Sequence, residues 1–174
     1  MTRTPETGSP RGFVGPDDCR WMDLALREAC KAARQGEVPI GAVVVHGGSV
    51  IGRGYNRRET RRDPAAHAEM IAIRQAARKL DNWRLSGATL YVTLEPCLMC
   101  MGAIILSRIE RVVFGCYDPK GGAAGSLYDL SNDVRLNHSV EVTSRVCEDE
   151  CSMILKDFFA DLRARNKARK KSNI

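Results

Sequence analysis

The sequence predicts one α/β domain in which a mixed β-sheet is covered by helices, and three observations carry that expectation. A chain of 174 residues can bury one core and leaves little room for a second. Its apolar residues switch between a helical period and short β-branched runs, in the order α-β-β-α-β-α-β-β-α. At 44% hydrophobic and 28% charged residues, the composition is that of a globular protein, far from disordered or collagen-like extremes.

The first residues, "MTRTPETGSPRGFVGPDD", are rich in Pro, Gly, Ser and Thr and contain no apolar h-region, so 1–18 reads as a flexible arm. Asp17 or Asp18 can cap a helix from about Cys19 to Gln35, with Met22, Leu24, Leu26, Ala29, Cys30 and Ala33 on its apolar face and Gly36 at its end. "IGAVVV", the turn "HGGS" and "VIGRGY" read as a β-hairpin. After an Arg-rich loop, Asp63 serves as cap and Pro64 as first residue of a second helix that runs to about Leu80. "ATLYVTL" is a strand ended by Glu95-Pro96, and "CLMCMGAIILSRI" is a buried helix. "RVVFGCY" is a further strand, the Gly-rich "DPKGGAAGS" a loop, and "VEVTSRV" a last strand. An amphipathic helix then runs from about Glu148 into a basic tail. The domain is expected to span 19–160 and the basic helix end or tail 161–174.

The net charge of +6 is local: Leu162 to Lys171 carries six basic residues and no acid, and removing it brings the formal charge to zero. A second cluster places Arg53, Arg57, Arg58, Arg61 and Arg62 just before "DPAAHAEM". Clustered guanidinium groups favour phosphate-bearing partners, although a solvated helix end reads equally well for the tail. The longest apolar runs, "AVVV" and "AIIL", fall far short of the ~20 residues of a membrane span, so no membrane partner is expected. Seven cysteines, odd in number and unevenly spaced, point to a reducing cytoplasm and away from a disulfide framework. "GGAAGS" lacks the Gly-Lys-Ser/Thr of a phosphate-binding loop, so no nucleotide-triphosphate cofactor is expected.

The chemistry is concentrated in two motifs. "EPCLMC" holds Cys97 and Cys100 at a helix start, where the positive helix end favours thiolates and the i,i+3 spacing lets both meet one ion. Alone, that spacing also fits half a structural zinc site, a redox pair, or two core thiols. A structural site needs four ligands, and the supply is thin: His46 and His138 read as solvated, and Cys147 and Cys151 as packing residues. His67 with Cys97 and Cys100 leaves three ligands and an open position, which is the pattern of catalytic zinc. Glu69, two residues after His67, then serves as a proton carrier. H-x-E followed by P-C-x-x-C is the signature of zinc-dependent nucleobase deaminases.

From about Trp21 to Arg165 the chain resembles the bacterial tRNA-specific adenosine deaminases. "EVPIGAVVV", "GYNRRET", "DPAAHAEMIAIRQA", "ATLYVTLEPCLMCMGAIILSRI", "RVVFGCYDPKGGAAGS" and "ECSMILKDFFADLR" carry the resemblance. It implies a cytidine-deaminase-like three-layer sandwich of about five strands with helices on both faces, and a homodimer. It also implies conversion of the wobble adenosine of a tRNA anticodon, chiefly that of an arginine tRNA, to inosine. His67, Cys97 and Cys100 would hold one zinc ion per subunit, and Glu69 would be the general acid/base. Asn56 matches a family asparagine that hydrogen-bonds the adenine, and Asp118 a loop aspartate near the sugar-phosphate backbone. Read without the resemblance, Asn56 is a turn residue and Asp118-Pro119 a loop start. Phe158-Phe159 resembles a C-terminal aromatic pair, with Phe158 at the substrate, and otherwise packs the last helix. Arg57, Arg58 and the tail would grip phosphates of the anticodon stem-loop. Two alternatives stay open: a free nucleobase or nucleoside deaminase acting on guanine or cytosine, and a non-catalytic zinc-stabilised RNA-binding module.

Overall fold

The computed structural model describes residues 11–172; residues 1–10 and 173–174, parts of the expected arm and tail, lie outside the described residues. The elements in order are α1 (Asp18–Arg34), β1 (Gly41–His46), β2 (Ser49–Tyr55), α2 (Arg58–Arg61), α3 (Ala68–Leu80), β3 (Thr89–Leu94), α4 (Leu98–Leu106), β4 (Arg111–Cys116), β5 (Glu141–Thr143) and α5 (Glu148–Ser172). The strands form one sheet in the order β2-β1-β3-β4-β5. β1 pairs antiparallel with β2 and β3, while β3, β4 and β5 run parallel. The hairpin closes through Gly47 and Gly48, both at positive φ, as a two-residue turn between paired His46 and Ser49 requires.

Alternation along the central strands divides the core into two. Ala42 and Val44 of β1, Leu90 and Val92 of β3, and Val112 and Phe114 of β4 face α3 and α4. Val43 and Val45, Tyr91, and Val113 and Cys116 face α1 and the start of α5, against Trp21, Met22 and Cys151. Because both faces are covered, β1 and β4 read as continuous apolar runs. This is the mixed five-stranded, helix-covered sheet that the sequence predicts.

Gly52 and Gly54 of β2 let α3 lie directly on the strand. A Cβ at Gly54 would run into the Ala68 carbonyl oxygen, and one at Gly52 into that of Ala72. Small residues on the helix, Ala68, Ala72 and Ala76, all fully buried, complete the close approach and fix where α3 begins.

Several expected boundaries move. The second long helix starts at Ala68, not at Asp63-Pro64, and His67 stands at its N-cap in extended backbone (φ −75°, ψ 153°). Asp63 instead closes a local turn: its Oδ1 accepts the Ala65 N–H at 2.8 Å and its carbonyl the Ala66 N–H at 3.1 Å. Part of the Arg-rich loop, Arg58–Arg61, is a short helix whose Glu59 and Thr60 N–H groups donate to the buried carboxylate of Glu37. The last strand stops at Thr143, ahead of Arg145 at positive φ, and the Ser144 N–H, on the free side of the strand, donates to the Arg11 carbonyl at 3.0 Å. Residues 11–18 are therefore tied to the domain, in contrast to the flexible arm expected there. His138, expected to be solvated, is half-buried, with its Nε2 at 2.7 Å from the Ile109 carbonyl.

Neither Asp17 nor Asp18 caps α1 in the expected way. Asp17 makes no side-chain cap bond, and Asp18 is buried against Tyr91 of β3 and Arg111 of β4. The Arg111 fork donates to both Asp18 oxygens, at 2.9 and 2.7 Å, the Tyr91 hydroxyl donates at 2.9 Å, and the Gly15 N–H at 2.7 Å. Burial pushes the Asp18 carboxyl up, but these donors outweigh it and hold it below its ordinary 3.8. A depressed folded-state value means that the stability from Asp18 is complete above its unfolded value and is lost as pH falls through the folded one. Asp18→Asn is therefore expected to lower the urea midpoint at neutral pH and to flatten its decline below about pH 4, checked by denaturation across that range. Gly54→Ala should cost about 1–3 kcal/mol by forcing α3 off β2, seen as a lower urea midpoint with an unchanged slope.

Candidate active site

Two helix starts meet at one point. β3 leads through Glu95-Pro96 to Cys97, the N-cap of α4, while the glycine-seated α3 sets His67 at its own N-cap. Both residues are in extended backbone, and neither side chain caps its helix, so both are available to each other. The His67 Nδ1 lies 3.7 Å from the Cys97 Sγ and 3.6 Å from the Cys100 Sγ. Tetrahedral zinc with Zn–S of ~2.3 Å and Zn–N of ~2.0 Å sets its N and S ligands about 3.5 Å apart. Among the described residues this is the only group of three such ligands, all within 4.8 Å of one another.

Electrostatics favour one thiolate in the cysteine pair, at Cys97. Cys97 is drawn down to about 4, first by its hydrogen bond with Cys100 and, against the effect of burial, by His67. Cys100 is pushed up for the reciprocal reason, so without a cation the two thiols share one proton. The hydrogen bond with Cys97 raises His67, opposed by burial and assisted by the charge of Glu69. Burial pushes Glu69 up, which suits a carboxyl that takes and returns protons.

These groups open into a cleft of 180 Å³ lined by Val38, Ile40, Asn56, Arg58, Leu94 and Asp118 as well as His67 and Glu69. Its size is below the ~300 Å³ lower bound for drug-sized ligands and suits a single base. Asn56, only 5% exposed, donates its N–H to the Ile40 carbonyl at 3.0 Å and its Nδ2 to Glu37 at 3.4 Å. That leaves its amide oxygen to accept from a molecule in the cleft. Arg58 lines the cleft, whereas Arg57 lies 5.5 Å over the Tyr55 ring, outside the lining.

Phe158 is not brought to the cleft. It turns with Ile154, Asp157, Asp161, Leu162 and Arg165 toward the end of α1, because helical spacing puts those residues on one face. Phe159 takes the neighbouring face, in a groove with Leu94, Tyr117, Lys120, Lys156 and Arg163. Leu94 belongs to both this groove and the cleft, so Phe159, and not Phe158, shares a neighbouring residue with the cleft.

Two carboxylates that sequence reasoning passed over hold the cleft walls. Glu37 ties α2 and Asn56 together. Glu95, read only as the end of a strand, is 2% exposed and gathers the loop after β4. It accepts the N–H groups of Asp118 at 3.0 Å, Ala124 at 3.0 Å and Ser126 at 2.9 Å, and the Ser126 hydroxyl. A Cβ on Gly122 would run into this carboxylate. The only signal in the sequence was a Glu beside Pro-Cys facing a Gly-rich loop. Glu95→Gln replaces an acceptor by a donor, so a loss of roughly 1–3 kcal/mol is expected, with faster amide exchange confined to 118–126.

The comparisons place the chain among deaminases. The family profile described as MafB19-like deaminase matches residues 16–163. A tRNA-specific adenosine deaminase of Bacillus subtilis (strain 168) is 54% identical over 152 residues, 87% of this chain and 94% of the relative. A solved structure from a study of A-to-I editing by tRNA:A34 deaminases superposes with TM-score 0.76 at 47% identity, covering 78% of this chain and 99% of that one. A guanine deaminase structure from Bacillus subtilis gives TM-score 0.55 at 36% identity, covering 60% and 66%. With a match that encloses His67, Glu69, Cys97, Cys100 and the whole cleft, this chain belongs to the MafB19-like deaminase family.

Proposed function

We propose that this protein is a zinc-dependent hydrolase that converts the wobble adenosine of a tRNA anticodon, chiefly that of an arginine tRNA, to inosine. It would act in the cytoplasm as a homodimer. The observation that carries the reading is the His67–Cys97–Cys100 cluster with Glu69 beside it, in a cleft sized for one base. The 54% identity to a tRNA-specific adenosine deaminase supports the substrate. No helix among the described residues is long and apolar enough to cross a membrane.

His67, Cys97 and Cys100 would hold the ion. Zinc, when bound, supplies Lewis acidity that brings the pKa of water down to about 7. Glu69 takes a proton from the attacking water and delivers it to the ring nitrogen next to C6. The ring nitrogen keeps that proton as the C6–O bond forms; Glu69 then takes the second proton, from the new C6 hydroxyl, and passes it to the amino group, which leaves as ammonia as the C6–N bond breaks. Asn56 fixes the base through its amide oxygen, and the apolar wall of Val38, Ile40 and Leu94 excludes water. An adenine must leave its stack to enter so small a cleft, which favours an anticodon loop over a duplex. Asp118 sits at the rim, while Arg58, Lys120, Lys156 and Arg163 offer cations to the flanking phosphates.

The 36% identity to a guanine deaminase keeps one competing substrate, a free base, in play. Incubation with total tRNA and sequencing for inosine separates the two: modification at the wobble position of arginine tRNA is expected. Ready turnover of guanine with untouched tRNA would overturn the assignment. Glu69→Gln should lower inosine formation by about 10²–10⁴-fold while zinc content, measured by atomic absorption, stays at the wild-type level.

A further inference from the structure

Arg11 lies upstream of the family match, which begins at residue 16, yet it is bound to the loop that forms one wall of the cleft. Its backbone pairs with Ser144 at the end of β5: the Arg11 N–H donates to the Ser144 Oγ at 2.8 Å and the Arg11 carbonyl accepts the Ser144 N–H at 3.0 Å. Two residues on, the Phe13 carbonyl accepts from Arg111 at 3.0 Å, so the segment is held at both ends. From this base the Arg11 guanidinium reaches outward. Its Nη1 donates to the Ala124 carbonyl at 3.0 Å and to Asp129 at 2.7 Å, and its Nη2 to the Ser131 hydroxyl at 3.4 Å.

Ala124 is fully buried, and its own N–H donates to Glu95. The residue is thus gripped from the cleft side by Glu95 and from the outside by Arg11. Glu95 also holds the Asp118 N–H, so displacing Ala124 disturbs the same carboxylate that sets Asp118 at the rim. Asp129 is prepared for the cation: it accepts both the N–H and the hydroxyl of Ser131, which orients it toward Arg11.

We propose that Arg11 is a positioning residue for the deaminase site: by clamping Ala124 against Glu95 it fixes the 118–131 loop in the form that presents Asp118 to the RNA. The N-terminal segment outside the family match thereby becomes part of substrate recognition. The inference rests on the RNA reading of the preceding subsection for its substrate, and on hydrogen bonding alone for its structural half.

The test compares the full chain with R11A and R11K, by steady-state kinetics on an anticodon stem-loop RNA and by amide hydrogen exchange. R11A is expected to raise KM roughly tenfold, the weight of one charge-assisted hydrogen bond, with kcat changed less than about twofold. Exchange should quicken in 118–131 and not in α3 or α4. R11K, which keeps a cation for Asp129, should recover part of the KM and of the protection. Unchanged KM and unchanged exchange in R11A would overturn the proposal, as would faster exchange throughout the domain with kcat falling alongside. A wild-type protein inactive on RNA would refute the substrate reading instead, and the exchange comparison would still decide whether Arg11 clamps the loop.

Discussion

The site depends on two helices beginning at the same place. A residue at a helix N-cap has extended backbone, so its side chain is aimed across the helix start and not along the helix. In α3 and α4 that position is occupied by His67 and Cys97, which cannot cap as Ser or Asp would and instead meet each other. Cys100, one turn into α4, completes the group. The N–H groups of the two helix starts add a positive field that favours a thiolate at Cys97. A shift of α3 by even an ångström would separate His67 from the cysteines, and the glycine-to-alanine contact of β2 with α3 prevents it. The His67–Cys97–Cys100 geometry is therefore a consequence of backbone packing some distance away.

Around this point the loops are organised by buried carboxylates. Glu37 and Glu95 are each nearly inaccessible, and each is satisfied chiefly by backbone N–H groups of a segment far away in the sequence. An ionised acceptor in a low-dielectric setting binds such donors strongly, so one side chain can fix a loop that has no regular hydrogen bonding of its own. Glu37 shapes the Asn56 wall and Glu95 the Asp118 wall. The cations lie farther out, on the rim and along the exposed end of α5, where a polyanion can reach them. Acidic supports inside and basic groups outside serve different ends: the first set shape, the second attract the partner.

What the sequence made legible follows from what is local. The short β-branched strand runs and the Gly-Gly hairpin turn survive intact because each is decided within a few residues. The meeting of His67 with Cys97 and Cys100 was legible for a different reason, since these residue types have so few other uses in combination. Asp63-Pro64 misled because Asp bonds to its own following backbone as readily as it caps a helix, and periodicity cannot choose between the two. Glu37, Glu95 and Arg11 were invisible because their partners lie tens of residues away or more. Phe158 was placed by resemblance, and one step along a helix turns a side chain by about 100°, enough to exchange one groove for another.

X-ray absorption spectroscopy of the zinc-loaded protein tests most directly whether the two helix starts build an open catalytic centre. The expected first shell holds two sulfur atoms at about 2.3 Å and one imidazole nitrogen at about 2.0 Å, with one further light atom from solvent, unchanged in Glu69→Gln. A shell of four protein ligands, or one that loses a light atom when Glu69 is replaced, would contradict it: the first would make the zinc structural, and the second would make Glu69 a ligand instead of a proton carrier.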